Sequence, residues 1–268
     1  NDCLHVFAAH LIELPRGQRP IRPIDVDHNR PSANQFDRTK VARKIVLGSL
    51  QCDGENPEFS CQDQLGTHRT ERCQQRADTM SCYGNDQIET PAMNALANES
   101  FVFENAYVSQ PVCSPSRATL LTGLYPHSSG VPSCNVPLPA ETPTIAELIS
   151  EDYRCAYMGK WHLGDEIFPQ HGFGEWVGTE DTYRRGYSTE ENLSELSPYH
   201  HHLLENGFTP DVEIMGQRVF SRHAGASLDE PFTKAAFLGD RAGAFIREKR
   251  DEPFVLFVNY LEPHPPHT

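Results

Sequence analysis

The chain has 268 residues, enough for one large domain or two small ones, and its 38% apolar content and 21 prolines speak for long surface loops. Its formal net charge of −14 argues against nonspecific nucleic-acid binding, which needs a positive field. No apolar run is long enough to span a membrane, and the start, Asn1-Asp2-Cys3-Leu4, has neither a basic-plus-apolar leader nor an initiator methionine, so the chain is expected not to be a complete translation product.

Residues 1–74 hold ten Lys/Arg and ten Asp/Glu, so the whole acidic excess falls in residues 75–268. The first stretch reads poorly. Residues 15–31 carry prolines and arginines without steady periodicity, residues 40–50 hold a short apolar run that suits a strand or a helical turn, and residues 51–75 are polar. Nothing there predicts a packed domain, and disorder or loose structure is expected. His5, His10, His28 and His68 are too scattered for a metal site. None of the eight cysteines forms a C-x-x-C pair, which excludes a zinc ribbon; bridges Cys3–Cys52 and Cys134–Cys155 stay open.

From Arg76 the pattern alternates between helix and strand. Thr90-Pro91 starts a short helix to about Asn98, and Phe101-Val102-Phe103 reads as a strand. Residues 113–123 then read as a helix start. Ser114 suits the N-cap, Pro115 the first helical position, and Gly123 the residue just past the end. Cys113 would sit beside the positive end of a helix dipole, and Arg117, one turn on, could reach back to it. A plain capped helix and an anion site are both compatible with this spacing.

Thr142-Pro143 introduces a helix over residues 144–150, and residues 154–158 form a short strand that delivers Lys160 and His162 on the following loop. Residues 165–229 read as a long irregular region of the kind that is functional or disordered. Within it, His200-His201-His202 lacks acidic or cysteine ligands nearby and reads as a solvated loop. A helix is expected from Glu230-Pro231 to about Arg247. The unbroken apolar run 254–258 reads as a strand buried in a parallel sheet. This alternation indicates an α/β fold.

Two motifs go further. Cys113-Ser114-Pro115-Ser116-Arg117, followed by Leu120-Leu121-Thr122-Gly123, resembles the signature of the formylglycine-dependent sulfatases, and Gly159-Lys160-Trp161-His162-Leu163-Gly164 resembles the second signature of that family. The resemblance begins at about Gln75 and covers residues 75–268 as part of a sulfatase catalytic domain; residues 1–74 stay unassigned, either non-homologous or disordered. It implies the alkaline-phosphatase-like α/β fold, with a mixed, mostly parallel sheet flanked by helices. It implies that Cys113 is oxidised to formylglycine, whose hydrate is the nucleophile and a ligand to Ca2+ or another divalent cation. Pro115 and Arg117 would be read by the formylglycine-generating or sulfatase-maturing enzyme, and Arg117 would also stabilise the hydrate. Lys160 would contact sulfate, His162 would hydrogen-bond the formylglycine hydroxyl, and His264 would protonate the leaving alcohol. His127, His267, Ser114 and Ser116 are read as structural or bystander groups.

The family strand that ends in two metal-binding Asp residues has no apolar counterpart just ahead of residue 75, where Cys73 and Gln74 occupy the aligned positions. The polypeptide is therefore read as a fragment that is inactive alone. The substrate class implied is a sulfated small molecule or polysaccharide. Two rivals remain: a phosphonate monoester or phosphodiester hydrolase of the same superfamily, and a non-catalytic pseudoenzyme. Family members usually work in the periplasm, outside the cell or in the lysosome, and no targeting segment here decides among these.

Overall fold

In the computed structural model, the structure is described for residues 6–10, 44–50, 76–98, 102, 107–249 and 251–264. Five strands form one sheet: β1 (Val6–His10), β2 (Lys44–Leu50), β3 (Arg154–Gly159), β4 (Glu175–Val177) and, last in the chain, β7 (Phe254–Asn259). Their spatial order is β1-β2-β7-β3-β4. β7 pairs in parallel with β2 on one side and β3 on the other, β4 continues in parallel, and β1 closes the edge antiparallel to β2. β5 (Val212–Ile214) and β6 (Gln217–Val219) make a separate hairpin. The helices are α1 (Pro91–Asn98), α2 (Cys113–Thr122), α3 (Pro126–Ser129), α4 (Ile145–Leu148), α5 (Pro198–Glu205), α6 (Arg222–Ala226) and α7 (Lys234–Glu248). Among the described residues no helix is long and apolar enough to cross a membrane.

The central position of β7 follows from its composition. All six of its residues are buried, which only a strand covered on both faces can satisfy. Alternate side chains go to opposite layers. Cys155, Tyr157, Val255 and Phe257 pack with Ala118 and Leu121 of α2 and with Trp161, Leu163 and Phe173. Ala156, Met158, Phe254, Leu256 and Val258 pack with α5 and α7 through Tyr199, Leu203, Phe237, Leu238 and Phe245. The result is a mostly parallel sheet between two helical layers, the α/β class expected from the sequence.

Several local expectations change. The 40–50 run is a strand, β2, and it fills the place beside β7 from residues 44–50 rather than from residues immediately before Cys73. Phe101 and Phe103, in the expected 101–103 strand, lie outside the described residues, as do Cys3, Cys52 and His267. Cys134 and Cys155 are both thiols, so no bridge joins them. The helix expected from Glu230 begins at Lys234. A 3-10 turn at Glu230–Phe232 precedes it, and Thr233 is the N-cap, its hydroxyl accepting the Ala236 N–H. The helix near residue 144 is short, with Thr144 and Glu147 forming a reciprocal capping box. Residues 165–229 are far from irregular and hold β4, α5, the β5–β6 hairpin and α6. The three-histidine run is helical, not a loop. Ser197 caps α5 through His200 N–H, and Tyr199, His200 and Leu203 face inward, leaving His200 2% exposed against Phe220.

At the C-terminal ends of β3 and β7 the chains come very close. Gly159 has φ +100°, and a Cβ there would overlap the carbonyl oxygen of Asn259. Only glycine satisfies both conditions. Gly159→Ala is expected to lower the unfolding free energy by about 3 kcal/mol or more, read by chemical denaturation; a loss below about 1 kcal/mol would show that the strand ends are not locked together here.

Candidate active site

Cys113 is the first residue of α2, and Val112, not Ser114, occupies the N-cap position. Ser114 is unavailable for capping because its hydroxyl is spent on tertiary bonds: it donates to the His162 carbonyl (2.8 Å) and accepts the Asn135 N–H (3.1 Å). Pro115 consequently lies two residues into the helix. The far end is as expected: Gly123 adopts the left-handed conformation at φ 71°, with its N–H on the Thr119 carbonyl. Cys113, Ser114, Pro115, Ser116 and Arg117 are all buried.

The loop after β3 is brought to this helix start. Arg117 does reach back, and what it holds is the loop backbone. Its Nη1 donates to the Lys160 carbonyl (2.7 Å), to the Tyr157 hydroxyl (3.3 Å) and to Asn259 Oδ1 (3.4 Å). Tyr157 also donates to the Lys160 carbonyl (2.7 Å), the use a buried phenol makes of its polar tip. The Lys160 side chain is 1% exposed and its Nζ lies 4.0 Å from Cys113 Sγ. A buried ammonium at a helix N-terminus makes a strongly anion-selective spot.

His162 completes the cluster. Its backbone is left-handed, at φ 59°. Its Nε2 lies 2.6 Å from Asn135 Oδ1; the amide oxygen can only accept, so Nε2 carries the proton and Nδ1 is left as an acceptor. Burial, reinforced by the Lys160 ammonium and opposed by the adjacent Cys113 thiol, pulls its pKa down to about 4. The imidazole is therefore neutral at physiological pH and able to take a proton.

His264 is buried in the turn after β7, its N–H on the Leu261 carbonyl. That turn leaves the sheet at the same end as Lys160, where an open parallel sheet places its site. Cys73 and Gln74 lie outside the described residues. Among those described, no group of three or more His, Cys, Asp or Glu could hold a metal ion. The side chains around Cys113 are a lysine, a neutral histidine and, behind the loop, an arginine, a set that suits an anion and opposes a divalent cation. Among the described residues, then, none supplies the carboxylate ligands that a calcium ion would need. An aldehyde hydrate at Cys113 does fit, since its hydroxyls would meet donors from Lys160 and an acceptor on His162.

Three supporting residues escaped the sequence reading: Asn135, Tyr183 and Glu166. Glu166 is wholly buried and takes the N–H groups of Trp161 (2.9 Å) and His162 (2.6 Å), one on each oxygen. A carboxylate four and five residues beyond two loop amides is a local signal that could have exposed it. Burial raises its pKa to about 7, with the Trp161 N–H opposing. Because this exceeds the ordinary value of 4.5, its stabilising contribution is full below about 4.5 and is lost as pH rises through about 7. The stability gap between the natural protein and Glu166→Gln is therefore expected to be largest at about pH 4.5 and below and to shrink by about 1–3 kcal/mol towards about pH 8, measured by denaturation. A gap that widens with pH would contradict this.

Comparison with known proteins places the chain in one family. The model of the family described as Sulfatase matches residues 74–268. The chain is 32% identical over 198 residues to the uncharacterized sulfatase YidJ of Escherichia coli (strain K12), covering 72% of this chain and 37% of that protein. It is 30% identical over 197 residues to an ulvan-active sulfatase of Formosa agariphila, covering 72% and 34%. Among solved structures, one in complex with its substrate D-glucosamine-2-N,6-O-disulfate is similar at 26% identity and a TM-score of 0.48, over 70% of this chain and 32% of the other. The chain thus spans about a third of the length of these relatives. With the family model matched over residues 74–268, most of its length, the chain belongs to the sulfatase family.

Proposed function

We propose that this chain carries the nucleophile half of a sulfuric ester hydrolase, with Cys113 as the precursor of formylglycine. The observation that carries this is the Lys160 ammonium 4.0 Å from Cys113 Sγ at the first residue of α2. A hydrated formylglycine would supply one hydroxyl to attack sulfur and a second through which sulfate is expelled. The surrounding residues have matching tasks. Lys160 and the first amides of α2 neutralise the sulfate oxygens, so that a nucleophile can approach the anion. Arg117 keeps Lys160 in place by holding its carbonyl. The neutral His162 accepts a proton at Nδ1. His264, at the same end of the sheet, is assigned the proton that the leaving alcohol needs.

Cys113, Pro115 and Arg117 are buried once the chain is folded. A maturing enzyme that reads these three must therefore act before folding is complete. A sulfated small molecule or saccharide is the substrate class, and similarity to an ulvan-active sulfatase makes ulvan a natural candidate beside aryl sulfates.

The test uses the product of the complete gene, co-produced with a formylglycine-generating enzyme. Aryl sulfate is expected to be hydrolysed faster than phenylphosphonate. Cys113→Ala should lower kcat/KM by about 1,000-fold or more, and Lys160→Ala by about 100-fold. Faster turnover of phenylphosphonate would favour the phosphonate hydrolase, and activity untouched by Cys113→Ala would overturn the nucleophile assignment.

A further inference from the structure

The region between β4 and α7 contributes a buried ionic cluster that touches the site through one aromatic ring. The Glu180 carboxylate is fully buried and is shared by Arg222 (3.3 Å) at the start of α6 and Lys234 at the start of α7. Burial alone would push Glu180 upward, yet Lys234 and then Arg222 outweigh it and hold the group well below the carboxylate range. The cluster is thus fully charged, with two cations on one anion, and fixed in three directions. Arg222 also donates to the Tyr183 hydroxyl and lies 5.1 Å from the centre of that ring. The Tyr183 ring in turn stacks on His162, centroid to centroid 4.0 Å with 28° between planes, and the Lys160 ammonium is 5.2 Å from its centre.

An imidazole has two motions to lose before it is aligned: swinging of its edge and tilting of its plane. The bond to Asn135 removes the first. Among the described contacts of the ring, the stack on Tyr183 is what opposes the second. We propose that Tyr183, anchored by the Glu180–Arg222–Lys234 cluster, is the positioning residue that sets the plane of His162 and flanks the Lys160 ammonium. This rests on the sulfate-ester reading of the same site. Tyr183 acts through its neighbours and takes no part in bond making, so its loss should weaken the chemical step more than substrate capture.

The experiment combines kinetics of the complete gene product with the NMR signal of the His162 Cε1–H, identified by its loss in His162→Gln. A ring stacked at this distance shifts that proton, whatever the activity. Tyr183→Leu should lower kcat by about 10- to 100-fold, change KM by less than about 3-fold, and move the Cε1–H signal. Tyr183→Phe, which keeps the ring and loses only the hydroxyl, should lose less than about 3-fold in kcat and leave the signal close to its place. Should Tyr183→Leu not fold, Arg222→Lys serves instead: it keeps a charge for Glu180 but removes the guanidinium from beside the Tyr183 ring, a contact that Tyr183→Phe retains, and is expected to lower kcat by about 3- to 10-fold with a smaller shift of the same signal. The proposal is overturned if Tyr183→Leu, or Arg222→Lys in its place, retains natural kcat, if the signal does not respond, or if Tyr183→Phe is as impaired as Tyr183→Leu. Absence of sulfate hydrolysis by the natural protein would instead count against the sulfatase reading, and the NMR comparison would still decide the stack.

Discussion

The carbonyl of Lys160 is where the structure is tied together. Two donors converge on it at 2.7 Å, the Arg117 guanidinium from α2 and the Tyr157 hydroxyl from β3. The amide of the same residue donates to the Asn259 carbonyl at the end of β7. One residue therefore links a helix to two adjacent strands of the central sheet. Such bonds gain little over water when made, but a buried carbonyl left without a donor costs about 1–3 kcal/mol. The register of the loop and the height of the helix start are consequently set together.

That junction explains how a protein with a net charge of −14 can build an anion site. The field of the whole surface is screened within about 8–10 Å of salt solution, whereas Lys160 and the α2 terminus act at contact distance inside the protein. Cations below the surface need rigid neighbours, and here each has them. Arg117 is spread over two oxygens and a phenol, Lys160 lies between the Cys113 sulfur and the Tyr183 ring, and Glu166 grips the two amides that follow. The aromatic packing of Tyr157 with Trp161, Phe173 and Trp176 closes the same loop from the core side.

How much of this the sequence disclosed depended on the range of the interaction. β7 was legible because a strand covered on both faces needs an unbroken apolar run. The end of α2 was legible because Gly123 supplies a left-handed residue that few others tolerate. Cys113, Arg117, Lys160 and His162 were legible as a pattern, and the structure brings them together. The failures share one cause. Ser114 has the chemistry of a cap, yet its partners are 21 and 48 residues away. His200 is polar by type, yet its helix turns it inward beside Phe220. Asn135 and Tyr183 meet His162 across loops whose course no local pattern dictates. β2 was ambiguous alone and became a strand through its pairing with β7.

The central claim is that Cys113 is a nucleophile precursor and not a packing cysteine at a capped helix. It is tested most directly by the mass of the tryptic peptide that ends at Arg117, taken from the complete gene product made together with a formylglycine-generating enzyme. The account predicts a peptide lighter than the thiol form, as loss of sulfur for an aldehyde oxygen requires. A protein that hydrolyses sulfate esters while this peptide carries only the intact thiol would contradict it.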